Sequence, residues 1–334
     1  MPSFRTIVAA AVLLGLAAVA AAQPPAAPQL REFTQGNPGF MRFRLAEGRL
    51  VLTCRSPGGL RSQRNFGSQQ QETISLGTEN GRPNLNYART TATEQLSVNI
   101  SASGDVRITR APLGTGSVVS VDFHQAPNEK TTFVLGAGEH RQVFVATDFW
   151  RLAIAQPKEC REHLIPLLDL LRPDWKLATA VGDVETKLLA LAGDDATADH
   201  ARWTELVKQL GDDHFAKREA ADRALRTGGA AALGYLRQLD FNHLDAEQQF
   251  RVRHIIDALA GRSEDDSSDA IAASLARDPA VWLALLGRPE AATRQTAARQ
   301  LAKLLGDPID IDPAAEPDSQ KAKRELLRAR IEKK

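Results

Sequence analysis

Apolar side chains recur at every second position from Pro38 to about Gln156, and beyond Pro157 they recur at the three- and four-residue spacing of a single helix face. The first pattern predicts strands over Phe40–Ala46, Arg49–Arg55, Glu72–Gly77, Leu85–Thr90, Gln95–Ala102, Val106–Arg110, Ser117–His124, Thr131–Leu135, Gln142–Ala146 and Phe149–Ala155. Two turns are explicit. Ala46-Glu47-Gly48-Arg49 and Ser103-Gly104-Asp105 each place glycine where a hairpin needs positive φ. Leu96, Val98 and Ile100 alternate with polar residues before the second turn, and Val106 and Ile108 do so after it, which describes one buried face. Ten short strands with no helix among them predict an antiparallel β-sandwich, roll or barrel.

The helical pattern begins at Glu159–Leu171, where Leu164, Leu167, Leu168 and Leu171 line one face and Pro173 stops the helix. Further helices are predicted over Val184–Ala192, Ala201–Leu210, Phe215–Arg226, Ala230–Gln238, Ala246–Ala260, Pro279–Leu286, Ala291–Leu305 and Lys321–Lys333. The polar run Glu264–Asp269 reads as a loop. The fold class is therefore β then α in more than one domain. Residues 38–157 form the antiparallel β domain, 158–200 connecting helices, 201–306 a helical array, and 307–334 an acidic linker with a charged helix.

Within the array the chain repeats itself. An offset of 76 aligns Leu210-Gly211 with Leu286-Gly287 and gives seven identities in sixteen positions, among them Arg218 with Arg294, Ala221 with Ala297 and Leu225 with Leu301. Alanine and leucine then share a helix face, and the small alanine permits a close neighbouring helix. A degenerate unit around Phe250–Leu259, with Arg251 as its arginine, puts His254 where alanine is expected. Residues 201–305 so resemble HEAT-like helical repeats; a generic α-helical bundle is the other reading. The resemblance implies stacked helix pairs with a protein-binding or scaffolding role and no chemistry of their own.

The N-terminus changes where such a role would be played. Arg5 precedes a sixteen-residue apolar stretch, Ile7–Ala22, shorter than the roughly 20 residues of a membrane span. With Ala20 and Ala22 at the small positions, cleavage after Ala22 would release an extended terminus, 23–37, and an exported protein, periplasmic or secreted. An uncleaved anchor is the alternative. After cleavage no transmembrane segment is expected.

Composition then narrows the chemistry. The 334 residues are 43% hydrophobic and 25% charged, enough apolar material for a packed core, and 42 Lys+Arg against 41 Asp+Glu rule out a histone-like polycation. Export also makes kinases and nicotinamide-dependent enzymes poor readings, because their cosubstrates are generally lacking there. The two cysteines, Cys54 and Cys160, are too few for a thiolate zinc site, and in an oxidising compartment they are expected to pair and staple the halves together. The competing reading is a nucleophilic Cys160 with His163 one turn on.

Asp212-Asp213-His214 reads as helix capping, and the stretch with Asp310 and Asp312 as a solvated linker rather than a calcium loop. Asn99-Ile100-Ser101 is a formal glycosylation sequon within a strand. Phosphate-binding loops, nucleophile elbows and zinc-protease helices are absent, so no catalytic residue, cofactor or metal is expected. Charge is uneven. Residues 31–157 hold 14 Lys+Arg and 10 Asp+Glu, residues 158–334 hold 27 and 31, and 13 of the 14 cations in the first part are arginine. Arg49, Arg55, Arg61 and Arg64 surround Ser56-Pro57-Gly58-Gly59 in an acid-free stretch, a candidate anion-binding loop. Two partners follow: an envelope or extracellular protein for the helical array, and an acidic polysaccharide for the arginine loop as the alternative. Nucleic acid is not expected, and a hydrolase would need a site that no linear motif reveals.

Overall fold

The computed structural model describes residues 41–54, 60–65, 70–114, 118–193, 196–236, 239–260 and 267–332. The apolar stretch Ile7–Ala22, the terminus 23–37 and Arg55 lie outside the described residues. The order is β then α, as the change of period predicts.

Strands β1 (Met41–Ala46) and β2 (Arg49–Cys54) form a separate hairpin. Strands β3 (Leu60–Asn65), β4 (Gln71–Glu79), β5 (Arg82–Thr90), β6 (Glu94–Ile100), β7 (Val106–Pro112), β8 (Val121–Gln125), β9 (Thr131–Leu135) and β10 (Gln142–Ala146) make one antiparallel meander, each paired with its sequence neighbour. Register threads a single apolar row through seven strands: Ile74, Tyr87, Val98, Ile108, Phe123, Phe133 and Phe144. That inner face is covered by Phe43, Leu45, Leu50 and Leu52 of the hairpin, a sandwich-like arrangement. Buried Gln125 fixes the hairpin by accepting from Leu50 N at 2.8 Å and donating to Leu50 O at 3.0 Å. Turn chemistry is as predicted at Glu47-Gly48, where φ is 54° and 70°.

Two predictions need correction at this end of the chain. Phe149–Ala155 is a helix, α1, because Asp148 caps it by accepting from Arg151 N at 3.1 Å and because Phe149, Trp150, Leu152, Ala153 and Ile154 are all buried, so no strand-like polar face exists. Leu60–Asn65, expected beside the arginine loop without a strand, is β3: LRSQRN has too few apolar residues to show alternation, and pairing with β4 makes it a strand.

A turn at Pro157–Glu159 runs through a π turn, Cys160–Leu164, into α2 (Ile165–Leu171). There follow α3 (Leu177–Gly193), α4 (Ala196–Gln209), α5 (Phe215–Thr227), α6 (Gly229–Leu236), α7 (Ala246–Ala260), α8 (Ser268–Leu275), α9 (Pro279–Leu285), α10 (Ala291–Leu305) and α11 (Lys321–Glu332). Helix α8 replaces the end of the expected polar loop; Ser267 starts it by accepting from Ala270 N at 3.2 Å.

One core runs from the sheet through α1–α3 to α8–α10. Helices α4–α7 leave between α3 and α8 and enclose a second core of Val207, Leu210, Ala221, Leu225, Tyr235, Leu236, Val252 and Ile255. The 201–306 stretch thus belongs to both cores, since α3 packs directly on α8 and α10 while α6 packs on α8. The acidic 307–318 stretch is docked as well: Ile309 and Ile311 pack on the main core, and Pro313 O accepts from Arg294 Nε at 2.9 Å.

Candidate functional site

Of the four candidate arginines three are described, and they lie on the two strands that flank residues 55–59. Arg49 opens β2 and donates to the backbone carbonyls of Glu129, at 3.0 Å, and Ala126, so its guanidinium is committed to holding the β8–β9 turn. Arg61 and Arg64 stand on β3, in the other sheet, opposite Ser75 and Glu72 in register. Arg55 lies outside the described residues.

No disulfide joins Cys54 to Cys160. Cys54 is half-buried at the end of β2, whereas Cys160 is fully buried in the π turn beside Leu164. Burial pushes the Cys160 thiol up to about 12, with Glu159 adding to the effect. With no exposed surface, the Cys160 thiol packs as a core group, which disfavours the pairing with His163 as a nucleophile and base.

The β and α parts meet at a cleft of about 690 Å³. It is lined by Trp150 and Arg151 of α1, by the Glu47-Gly48 turn, and by Ile271 and Leu275 of α8. Arg151 clamps two helix starts. It donates to Asp148, the cap of α1, and at 2.6 Å to Asp278, whose other oxygen accepts from Ala280 N at 2.9 Å as the cap of α9. Burial pulls the Arg151 guanidinium down, but the two carboxylates outweigh it and hold it above its ordinary value. These carboxylates are engaged as caps and ion-pair partners, which makes Arg151 a joint between α1 and α9 beside the cleft.

Residues singled out by the repeat are brought into equivalent places, although in different cores. Ala221 and Leu225 of α5 and Ala297 and Leu301 of α10 are all fully buried. Helices α4 and α5 are joined by residues 210–214, and α9 and α10 by 286–290, so the 76-residue offset is also a repeat of helix ends. Arg251 behaves otherwise. It pairs with Glu219 at 2.8 Å and Glu247 at 2.6 Å, and His254 is exposed where the repeat would bury an alanine.

That ion-pair ladder marks the seam between α5 and α7, with Arg218 Nε 3.6 Å from Glu247 completing it. A large aromatic stands at each side. Phe215 is 63% exposed with Arg218 over its ring at 5.7 Å, and Phe250 is 58% exposed with His254 at 4.3 Å between ring centroids. Neither residue lies on the buried stripe that periodicity displays in the sequence. The available signal was their position off it: α7 buries Val252 and Ile255, and Phe250 cannot share that face.

Asp212 orders the loop ahead of α5, accepting from His214 N and Nδ1, each at 2.9 Å, and from Lys217 at 3.0 Å. The His214 amide, then Lys217 and the His214 ring, hold its carboxyl well below the usual range. Its partners make it a brace of the loop rather than the N-cap expected, since His214 holds the N-cap position. Asp310 pairs with Lys323 at 2.8 Å, and Asp312 accepts from Ala314 N at 2.9 Å. Among the described residues no cluster of His, Cys, Asp and Glu could hold a metal ion, and no helix is long and apolar enough to cross a membrane. Set against family models, curated proteins and solved structures, the chain has no match.

Proposed function

We propose that this is an exported, non-enzymatic interaction protein whose helical part docks a protein partner on the α5–α7 seam. The observation that carries the reading is the pair of phenylalanines there, 63% and 58% exposed on two helices around a charge ladder. Exposed aromatics flanked by polar rims are what protein interfaces use as anchors, since a large ring gives much contact area for little lost side-chain freedom. The excess of acids over 158–334 disfavours a polyanion on this part, and the HEAT-like unit supplies the helix pairs that carry the seam. Export rests on the Ile7–Ala22 pattern. The acidic-polysaccharide reading loses its first arginine, because Arg49 already holds two backbone carbonyls.

The test is photocrosslinking in intact host cells, with a benzophenone side chain placed at Phe215, at Phe250 or at Thr109 on the outer face of the sheet. A discrete protein adduct is expected from the two seam positions and not from Thr109, with loss of the Phe215 adduct in a Phe250→Ala background. A salt-sensitive polysaccharide adduct from the sheet, with none from the seam, would replace this reading by the alternative.

A further inference from the structure

We propose that the outer edge of β10 is a self-association site, where β10 pairs antiparallel with β10 of a second copy about a two-fold axis through Phe144. Strand β10 ends the eight-stranded order, so one side of its backbone meets no strand among the described residues. Sheet edges are ordinarily blunted by charge, proline or a bulge. Residues 142–146, Gln-Val-Phe-Val-Ala, contain no charge, proline or glycine, and all five pair in continuous register with β9. The opposite edge is different: β3 carries Arg61 and Arg64, which would meet their own counterparts in a like-on-like pairing.

Side-chain pattern identifies the occupant. Phe144 packs inward on Phe133, with ring centroids 5.8 Å apart, which turns Val143 and Val145 to the outer face, where they are 48% and 57% exposed. The Val-Phe-Val order is symmetric about Phe144. Antiparallel pairing with a second copy therefore sets Val143 opposite the other copy's Val145, twice, and Phe144 beside its counterpart. The exposed valines become one apolar stripe continuing onto Val134, the neighbour of Val143 across β9. A neutral strand meets itself without repulsion, and an isologous contact closes as a dimer rather than growing into a fibre. A contact of five residues a side is small, so the dimer belongs to the weak class.

Sedimentation equilibrium of the full chain, from about 1 μM to about 300 μM, brackets a contact of this size. A monomer–dimer equilibrium is expected. The double substitution Val143→Lys with Val145→Lys places four cations along the stripe and should raise the dissociation constant about tenfold or more while leaving the melting temperature in place. As a second measurement, proteins carrying Val143→Cys and Val145→Cys are oxidised separately and mixed. Directly opposite residues approach closely enough for a disulfide, so the mixture should crosslink faster than either protein alone. Four results overturn the proposal: a monomer throughout the range, a dimer indifferent to the lysines, growth beyond the dimer as a β10-to-β3 contact would give, or crosslinking no faster in the mixture.

Discussion

Arg218 and Arg294, 76 residues apart, make the same bond in two different cores. Each Nη1 donates to the backbone carbonyls six and five residues earlier: Arg218 to Asp212 at 2.7 Å and Asp213 at 3.1 Å, Arg294 to Arg288 at 2.9 Å and to Pro289. One guanidinium thus closes the loop between two helices and fixes their angle, and this is why arginine, with its fixed fork of donors, recurs at that position.

The two arginines should differ in cost when removed. Arg294 is buried and also holds Pro313 O, while the Arg218 side chain is 22% exposed. Arg294→Ala is expected to destabilise by about 2–4 kcal/mol and Arg218→Ala by about 1–2 kcal/mol, because the first leaves three part-buried carbonyls without their donor and the second one part-buried and one exposed carbonyl. Urea denaturation checks this; equal losses would show that the extra bond of Arg294 contributes nothing.

Ala221 should tolerate no bulk. It is fully buried in the α4–α7 core, so Ala221→Phe is expected to overpack that core at about 1–3 kcal/mol. Lys217→Phe, at an exposed position one turn earlier, should cost only about 0.5 kcal/mol. Melting temperatures that respond equally to both would reject the assigned face.

Gly48 is required twice over. Its φ is +70°, and an added Cβ would lie 2.7 Å from Asp148 Oδ1, next to the point where Gly48 O accepts from Phe149 N at 2.9 Å. Gly81 has φ +75° and nothing within 4 Å. Gly81→Ala should therefore cost about 1–2 kcal/mol for conformation alone, and Gly48→Ala about 2–4 kcal/mol, the excess arising from displaced Asp148 and its clamp on Arg151. Thermal unfolding of the two variants side by side isolates the contact.

Cys160 should give stability a slope in alkali. Its thiol is raised from 9.0 to about 12 in the fold, so the unfolded chain loses that proton first as pH rises. The stabilising effect is whole below pH 9.0 and disappears as pH climbs towards 12. Cys160→Ala should flatten this part of the stability profile, measured by urea midpoints between those limits. Alkylation at neutral pH should reach Cys160 only after unfolding.

Much of the architecture follows from local rules that need no partner. Alternation alone placed Thr131–Leu135 and Gln142–Ala146, the three-and-four spacing placed Ala246–Ala260 and Ala291–Leu305, and glycine chemistry placed the turn at Glu47-Gly48. Short segments behaved differently. Seven residues, Phe149–Ala155, are too few for period two to be told from period 3.6, and a cap from Asp148 with five of the seven side chains buried made them helical. Leu60–Asn65 became a strand through its pairing with β4, which its own composition does not announce.

Side-chain destinations were decided by the fold. The sequence determined that Arg218 and Arg294 would be equivalent, since identity at a fixed offset implies like surroundings, but not that α5 and α10 would lie in separate cores, which depends on α3 meeting α8 and α10 from far along the chain. It displayed Arg49 as one of a basic cluster; only tertiary contact gave its guanidinium to the carbonyls of Ala126 and Glu129, 77 and 80 residues away. Phe215 and Phe250 are apolar in any reading, and their exposure arises because each helix has one face to bury and the chain turns that face inward. Periodicity is set within a few residues by backbone geometry, whereas burial and bonding partners are set by which surfaces the whole chain brings together, and the candidate site belongs to the second kind.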